Sequence, residues 1–306
     1  YTPIEVLEWK LQYGLDLSFN AKIATGVTNI PDNQYRNNIN VNNVLFQDNI
    51  SLIRIGANAF RSSGIVNINI STSLLDIDIS AFRNTFHLNN IFIPHKLKII
   101  PFACFYNSNI IDISGGIGVE YIDDYAFSHT KLLNNFDISN SLLEIGDYCF
   151  FNSGLINFNF PPKLRIIGKY SFYSIPNLIS INISTPLIKI NAYSFADCIN
   201  LNNISFNSDS KLYTIDEFAF YNDTSLTNIT FPDNLYEIKY KAFSFCSFIS
   251  LIFPNNIKHI GDSSFEYQGF SLKYNSHSST LTDISCFSLY PGKNLGAYGD
   301  AGIITT

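Results

Sequence analysis

Residues 142–163 read LLEIGDYCFFNSGLINFNFPPK, and a version of this string returns along most of the chain. Aligning the copies on Phe150 places a phenylalanine at the same point of ten units, spaced by 22 to 25 residues. Ile always stands five positions before it, and Ala, Ser or Cys directly before it. A fixed period of this length predicts a repeat array in which each unit packs on its neighbours. The ten residues are Phe60, Phe82, Phe105, Phe127, Phe150, Phe172, Phe195, Phe220, Phe243 and Phe265.

The second half of each unit predicts a short strand. After a polar turn the sequence reads L-x-x-I-x-I or a close variant, as in LINFNF at 155–160 and LISINI at 178–183. Apolar and polar residues alternate there with the period of a half-buried strand. One such strand cannot bury its apolar side alone, but stacked copies can. The sequence therefore predicts a repeat solenoid with the phenylalanines in one internal row.

The position after the recurrent isoleucine predicts a special backbone. It is Gly, Asp or Asn in eight of the ten units, as in Gly56, Gly146 and Asp78. These residue types tolerate a left-handed conformation better than others. We therefore expect positive φ at this position, although Pro101 and Lys239 do not fit the rule.

The unit L-x-x-I-G-x-x-A-F, followed by L-x-x-I-x-I-P, resembles the BspA-type leucine-rich repeat. That resemblance implies a right-handed, β-rich arc with short concave strands and turns or short helices on the convex side. It also implies a surface adhesin or partner-binding protein, and hence an extracellular or cell-surface location. Two features depart from the pattern. The usual Cys three places after the Phe appears only as Cys198 and Cys246, and SGGIGV (114–119) replaces one I-P.

The register predicts three regions. Residues 52–274 hold the ten repeats. Residues 1–51 do not match the register and are expected to form an N-terminal cap or the end of an upstream region, because an open solenoid edge needs a cover. Residues 275–306 hold a degenerate eleventh repeat, LTDISCF at 281–287, and a Gly-rich tail. Since the chain contains no Met, we expect a processed product or a piece of a longer protein.

Composition and motifs argue against several function classes. A net charge of −6 gives no reason to expect a nucleic-acid partner. No apolar stretch approaches 18 residues, so no membrane insertion is expected. The five histidines lack metal-ligand spacing, and no nucleophile, phosphate or dinucleotide motif occurs. The sequence therefore predicts no enzymatic activity, no cofactor and no metal, and does not indicate an oligomeric state.

Two repeat positions are candidate ligand-binding surfaces. The residues flanking the inward Ile of each strand form polar, nearly uncharged columns, which are either a solvated face with amide ladders or a hydrogen-bonding floor for a glycan or extended peptide. The second position lies two residues before the Phe and carries an aromatic stripe, which is either a stabilising ladder with rings meeting edge to edge or an adhesive patch. The candidates are Asn135, Asp137, Asn157, Asn159, Ser180, Asn182 and Asn203 for the first, and Tyr125, Tyr148, Tyr170, Tyr193 and Phe218 for the second.

The register also bears on the cysteines. Cys104 and Cys149 share one repeat position two units apart, and Cys198 and Cys246 share another. Two steps of a strand ladder span roughly 9.6 Å, which exceeds the limit of about 7 Å between the Cα atoms of a disulfide. We therefore expect no disulfide among these four residues.

Three functions fit these observations. The first is a non-catalytic surface protein whose rigid curved face binds a protein or glycan. The second is a structural or assembly component, such as a virion, tail or envelope part. The third is an intracellular scaffold that docks protein partners, since no export signal is visible.

Overall fold

The computed structural model describes residues 18–24, 26–46, 52–134, 136, 140–183, 186–249, 251–266 and the backbone of 283–284. The chain divides into two compact units, Tyr1–Gly154 and Leu155–Thr306, called here the first and second units. Within each unit the chain runs as a parallel-strand solenoid. Its described residues form 20 short strands, numbered in chain order, and contain no helix.

One ladder of strands comes from the L-x-x-I-x-I segments, as the sequence predicts. Its strands pair in parallel, β1–β3–β5 and β7–β9 in the first unit and β12–β14–β16 in the second. In β12 and β14 the alternating burial places the Ile or Phe side chains inside and their polar neighbours outside, whereas in β7 the outward side chains are Asn90 and Phe92. The bounds are β1 Phe19–Ile23, β3 Val41–Phe46, β5 Asn67–Ile68, β7 Asn90–Ile93, β9 Asp112–Gly115, β12 Asn157–Asn159, β14 Ser180–Ile183 and β16 Asn203–Phe206.

A second parallel ladder runs through the isoleucine five places before each phenylalanine. These strands have two residues each and pair in register, for example Ile100 with Ile122 and Ile122 with Ile145. The bounds in the first unit are β2 Asn29–Ile30, β4 Arg54–Ile55, β6 Asp76–Ile77, β8 Ile99–Ile100, β10 Tyr121–Ile122 and β11 Glu144–Ile145. Those in the second unit are β13 Ile166–Ile167, β15 Lys189–Ile190, β17 Thr214–Ile215, β18 Glu237–Ile238, β19 His259–Ile260 and β20 Asp283–Ile284.

The phenylalanines stack in an internal row in each unit. In the first unit, Phe60 to Phe150 follow one another with centroid distances of 5.2 to 5.4 Å and nearly parallel planes. In the second, Phe172 to Phe265 do the same at 5.0 to 5.4 Å. The small residue before each ring is buried, and these rows form the centre of the core. The predicted alignment of the phenylalanines is thus confirmed within each unit.

The first unit contains one turn that the sequence register missed. Tyr35 stacks on Phe60 at 5.3 Å, and Ile30 pairs with Ile55. Val27, Ile30 and Tyr35 repeat the spacing of Leu52, Ile55 and Phe60. The register search did not find this turn because Gln34 and Tyr35 replace the usual small residue and phenylalanine. At the other end, the backbone of β20 pairs with β19, so the predicted degenerate repeat continues the ladder at that point.

Tandem turns connect the two ladders and carry the left-handed residues. Around Phe105, the residues two before and two after, Ala103 and Asn107, have φ of 51° and 53°. The N–H groups of Ala103, Phe105 and Asn107 each donate to carbonyls of the following turn, at 2.8 to 3.0 Å. Directly after a strand of the second ladder, by contrast, the N–H of Asp123 donates back to the carbonyl of Ile100 in the preceding turn at 2.9 Å. The predicted convex segments are therefore turns in the described residues, and short helices are not found there.

The expected left-handed position after the isoleucine is wrong. Gly56, Gly146 and Gly261 do not have positive φ. A Cβ atom on Gly146 would lie 2.5 Å from the backbone nitrogen of Asp124, so the glycine serves close approach of the preceding turn. Asp78 occupies the same position and accepts a hydrogen bond from the N–H of Ile79 at 2.7 Å. Crowding between turns and local side-chain bonding, rather than backbone handedness, explain the residue types there.

Glycine substitutions should stabilise the protein at its left-handed positions and destabilise it at other turn positions. Ser263 has φ of 54°, and Ser247 has an ordinary negative φ. Ser263→Gly relieves a conformation that costs an L-residue about 1 kcal/mol, whereas Ser247→Gly only adds chain entropy to the unfolded state. We expect urea unfolding to show a gain of about 0.5–1 kcal/mol for Ser263→Gly and a similar loss for Ser247→Gly. Losses of equal size in both variants would contradict the turn geometry.

The four described cysteines form no disulfide, as the repeat spacing predicts. Cys104, Cys149, Cys198 and Cys246 are free and buried. The thiols of Cys198 and Cys246 each donate to a backbone carbonyl of the preceding turn, those of Phe172 and Phe220, at 3.1 and 3.2 Å. Burial raises the pKa of all four thiols, so they are inert structural groups. Cys286 lies outside the described residues.

Candidate ligand-binding surfaces of the solenoid

The first candidate surface is the strand face of the second unit, formed by the outward side chains of β12, β14 and β16. Residue pairing aligns these side chains in two columns across three adjacent strands. All are exposed apart from Ser180, which is half-buried. The sequence predicted this alignment, and Ser205 completes the second column. The columns are Asn157, Ser180 and Asn203, and Asn159, Asn182 and Ser205.

Hydrogen bonds between strands fix several of these side chains. The hydroxyl of Ser180 donates to Oδ1 of Asn157 at 3.0 Å, and the hydroxyl of Ser205 donates to Oδ1 of Asn182 at 3.2 Å. In each pair the serine hydroxyl holds the asparagine oxygen, which leaves the amide N–H₂ of the asparagine as an outward donor. The strand face therefore offers a regular set of oriented polar groups at the strand spacing.

A depression borders the strand face at the beginning of the strands. It has a volume of about 570 Å³ and is lined by Ile156, Asn177, Ile179, Asn200, Asn202 and Ser225. Ile156 and Ile179 are 38% and 44% exposed and lie directly before the first polar column. Asn200 is held by a hydrogen bond from its Nδ2 to the carbonyl of Pro176 at 2.7 Å. Apolar side chains thus adjoin the amides, a combination typical of a ligand site.

The sequence analysis missed Ile156 and Ile179. It considered only the two residues that flank the inward Ile, since strand alternation points those outward. The strand β14 begins at Ser180, so Ile179 belongs to the preceding turn and its side chain does not follow the alternation. The exposed apolar residue directly after the recurrent Leu was the available signal.

The same columns in the first unit are less complete in the described residues. Asn67 Nδ2 donates to Asn43, and Asn43 Nδ2 donates to Asn20, at 2.9 and 2.6 Å. These bonds form the amide ladder that one interpretation of the sequence predicted. Asn135 and Asp137, both named as candidate ligand-binding residues, lie outside the described residues.

The second candidate surface is the aromatic wall, formed by Tyr125, Tyr148, Tyr170, Tyr193 and Phe218. In the first unit Tyr125 and Tyr148 stack at 4.9 Å with planes only 3° apart. In the second unit Tyr193 stacks on Tyr170 and Phe218, each at 4.6 Å. All five residues are half-buried and have positive φ, between 55° and 58°. The predicted edge-to-edge contact is wrong, because left-handed backbones in successive turns hold the rings face to face.

Stacking covers most of the ring surface of the aromatic wall that a ligand could contact. Each ring inside the row has its faces against its neighbours, so its edge is the part left for a ligand. Burial raises the pKa of Tyr125 and of Tyr193, and nearby Asp and Tyr groups add to the shift. A hydrogen bond to Asp197 raises the pKa of Tyr173, next to the wall, to about 12. The phenols of Tyr125, Tyr173 and Tyr193 are therefore neutral at physiological pH, and the face-to-face stacking favours the stabilising ladder.

Several charged residues away from the strand face form ion pairs. Arg54 bridges Asp32 and Asp78 at 3.1 and 2.6 Å in the first unit. In the second, Asp216 binds Lys189 at 2.6 Å and Lys239 at 3.2 Å. Burial alone would raise the pKa of Asp216, but hydrogen bonds from Lys189, the Glu217 backbone and Lys239 lower it below its ordinary value. Asp216 is itself buried, so this cluster is part of the structure rather than a solvated surface.

Metal-binding clusters and membrane-spanning helices are both absent from the described residues. Within them, no group of three or more His, Cys, Asp or Glu side chains could hold a metal ion. In the same part of the chain, no helix is long and apolar enough to cross a bilayer.

Parallel two-ladder turns, an internal row of aromatic rings and one recurrent Leu and Ile pattern define a leucine-rich repeat solenoid. The protein family described as "BspA type Leucine rich repeat region" matches residues 16–133, 98–212 and 189–295 of the chain. The chain therefore belongs to the BspA-type leucine-rich repeat family, which confirms the resemblance seen in the sequence.

A solved structure with a TM-score above 0.5 shows the same fold, and two others align with lower scores. A leucine-rich repeat protein from Bacteroides ovatus aligns with a TM-score of 0.61 and 21% identity, over 84% of this chain and 83% of that chain. A leucine rich cell surface protein from Faecalibacterium prausnitzii has a TM-score of 0.48 and 21% identity, over 80% and 69%. The pneumococcal vaccine antigen PcpA has a TM-score of 0.49 and 20% identity, over 85% and 69%. No curated protein matches the chain.

Proposed function

We propose that this protein is a non-catalytic, surface-displayed adhesion protein that binds a protein or glycan ligand through the strand face of its second unit. Its place would be extracellular or at the cell surface. Membership in the BspA-type family supports a binding role. The observation that carries the proposal is the pair of polar columns on β12, β14 and β16, held in register beside exposed apolar side chains.

Pre-organisation is the physical reason to prefer this face. Side chains that are free in solution lose about 0.5–1.5 kcal/mol each when a partner immobilises them. Asn157 and Asn182 are already tied to Ser180 and Ser205, so part of that cost is met in the unbound protein. Ile156 and Ile179 supply apolar area next to the amides. The combination suits a ligand with hydrogen-bonding groups along one edge and an apolar portion beside it.

The lack of charge fits adhesion better than catalysis. The side chains of the two columns contain amides and hydroxyls only, and such groups neither titrate near neutral pH nor act as general bases by themselves. They recognise by hydrogen-bond geometry. Because the face carries no charged group, binding should depend weakly on ionic strength.

A double substitution tests the strand face. The protein is screened against arrayed glycans and immobilised extracellular-matrix proteins, and a ligand found in this way is measured by surface plasmon resonance. Asn157→Ala combined with Asn182→Ala removes one outward amide from each column. With about 1 kcal/mol for each lost hydrogen bond, we expect affinity to fall about tenfold or more.

A control double substitution removes the same kind of side chain, two asparagine amides, outside the strand face. Asn107 Nδ2 donates to Asn84 Oδ1 at 3.1 Å in the tandem turns of the first unit. Asn84→Ala with Asn107→Ala therefore removes two laddered amides away from the strand face and should leave affinity unchanged. Equal losses in both double variants, or unchanged affinity in the strand-face variant, would refute the assignment.

A further inference from the structure

A column of arginines runs along the tandem turns of the first unit. Three of the five arginines in the chain hold the same repeat position, directly after the ring of the internal row, in three successive turns. They are Arg36, Arg61 and Arg83, called here the arginine column. The other turns carry aromatic, small or acidic residues at this position, for example Tyr106 and Glu266. A chain of net charge −6 thus places most of its guanidinium groups on one line.

Backbone hydrogen bonds hold the arginine column in register. The carbonyl of Arg61 accepts the N–H of Asn37, and the carbonyl of Arg83 accepts the N–H of Ser62, each at 2.8 Å. The aromatic rings that directly precede the three arginines stack at 5.3 Å in both steps. The arginines therefore follow one another at an interval of about 5 Å, close to the spacing of a strand ladder.

Neighbouring asparagines orient the first two guanidinium groups. Nη1 of Arg36 donates to Oδ1 of Asn33 at 3.2 Å, and Nη1 of Arg61 donates to Oδ1 of Asn58 at 3.3 Å. In both cases the asparagine stands three residues before the arginine. Each bond uses one of the five N–H donors of a guanidinium group. The other donors are available to a ligand, and part of the cost of ordering these long side chains is met before it binds.

An aromatic ring orients the third guanidinium group. Cζ of Arg83 lies 4.5 Å from the ring centroid of Tyr106, which is a cation–π contact. Nε of Arg83 is buried and has no hydrogen-bond partner in the described part of the chain. The ring therefore positions the guanidinium group without neutralising its charge.

No carboxylate of the described residues neutralises the arginine column. None of its three members forms an ion pair there. The acids nearest to them in the sequence, Asp32 and Asp78, are bridged by Arg54 instead. Burial and the two neighbouring charges of the column lower the pKa of Arg61. The three like charges repel one another, and an anion that spans them would relieve this repulsion.

We propose that the arginine column binds a sulfated polysaccharide, with sulfate esters seated between successive guanidinium groups. A sulfate ester stays charged at every physiological pH and spreads its charge over three oxygens, so one ester can accept hydrogen bonds from two arginines. The guanidinium group is weakly hydrated and presents a planar fork of donors, which suits such an anion better than an ammonium group does. A regular line of three cations matches a ligand with repeated anions rather than a single ion. This site lies in the first unit and goes beyond the proposed function, which concerns the second.

The experiment compares a fully sulfated heparin octasaccharide with the same octasaccharide after removal of its sulfates, which keeps its carboxylates. Isothermal titration calorimetry on the full chain should show binding of the sulfated form about tenfold tighter or more, and added salt should weaken it. Equal affinity for both forms, or binding of neither, overturns the proposal. An oligothymidylate of equal charge is the third probe. If it bound as tightly as the sulfated octasaccharide, the assignment to sulfate esters would be wrong.

Substitutions locate the site. Arg36→Gln with Arg61→Gln should lower affinity for the sulfated octasaccharide about tenfold or more. Lys163→Gln with Arg165→Gln is the matched control, since it removes two exposed cations of the second unit. Equal losses in the two double variants would show an effect of net charge alone and overturn the proposal. Arg36 is exposed, so Arg36→Gln alone leaves the core intact and should still weaken binding about threefold; unchanged affinity in this variant also overturns the proposal.

The strand-face variant separates this inference from the proposed function. Asn157→Ala with Asn182→Ala should bind the sulfated octasaccharide with unchanged affinity, because both substitutions lie in the second unit. A loss in that variant would place the sulfated ligand on the strand face and overturn the assignment to the arginine column. Unchanged affinity there, with a loss in the arginine variants, supports the column whatever ligand the strand face binds.

Discussion

Phe195→Ala is expected to lower the free energy of unfolding by about 3–5 kcal/mol, the range for loss of a buried aromatic ring in a core. Phe195 is fully buried and lies between Phe172 and Phe220, at 5.1 and 5.2 Å. The substitution leaves a cavity and removes two ring contacts in the middle of the row. Since each turn is stabilised by its neighbours, the damage falls on both adjacent interfaces. Urea unfolding followed by circular dichroism measures the loss.

Phe218→Ala provides the comparison. Phe218 also stacks on an aromatic neighbour, Tyr193 at 4.6 Å, but it is half-buried and belongs to the aromatic wall. Its removal opens no enclosed cavity, so we expect a loss of about 1 kcal/mol. If the two variants lost the same free energy, stacking rather than enclosure would be the main contribution of the row.

Asp223→Asn is expected to raise stability at neutral pH, by an amount that grows with pH. Asp223 is fully buried; its Oδ1 accepts the N–H of Cys198 at 2.8 Å, while Oδ2 has no hydrogen-bond partner. Burial raises the pKa of this carboxyl well above its ordinary value, against the opposing bond from Cys198. The folded chain therefore keeps a proton that the unfolded chain releases above about pH 3.9. The contribution of Asp223 to the stability of the natural chain therefore falls as pH rises from there, by up to about 1.4 kcal/mol per pH unit.

Asparagine keeps the acceptor for Cys198 and does not titrate. Denaturation curves from pH 3.5 to 8 should show similar stability for both chains at the acidic end and a widening advantage for Asp223→Asn above it. Asp233→Asn changes an exposed carboxyl of the same unit and serves as the control. The stability difference between this variant and the natural chain should not grow with pH. Parallel pH profiles for the natural chain and Asp223→Asn would show that the buried carboxyl carries no proton.

The phenylalanine row could be predicted from the sequence because period and burial act together. A large apolar side chain that returns every 22 to 25 residues, directly after a small one, can be buried only against its own copies. The two polar columns followed from strand alternation in the same way. Asn157, Ser180 and Asn203 align across β12, β14 and β16, as the spacing predicts.

The left-handed positions could not be predicted, because residue preference pointed elsewhere. Tyrosine and lysine are poor candidates for positive φ, yet Tyr148, Tyr170 and Lys241 adopt it. Backbone hydrogen bonds between successive turns determine which residues adopt the left-handed conformation. The N–H of Lys241, for example, donates to the carbonyl of Asp262 in the next turn at 3.1 Å. A backbone ladder made this way outweighs a local preference of about 1–2 kcal/mol per residue.

The candidate sites, too, could be predicted from the sequence only in part. The sequence indicated which residues share a column, but not which exposed side chains meet at a depression. Arg36, Arg61 and Arg83 were not singled out, because Arg36 lies before the first of the ten repeats and only two arginines then share the position. Their alignment depends on backbone bonds between turns that no single repeat contains.

The opposed directions of the backbone bonds have an electrostatic consequence. In the tandem turns, amides such as that of Phe105 point towards the following turn, while amides directly after second-ladder strands, such as those of Asp123 and Gly146, point towards the preceding one. These two sets of peptide dipoles oppose one another, and the dipoles within a β-ladder alternate, whereas those of an α-helix add up along its axis. Each added turn therefore contributes less to an electric field along the array than an added turn of α-helix would.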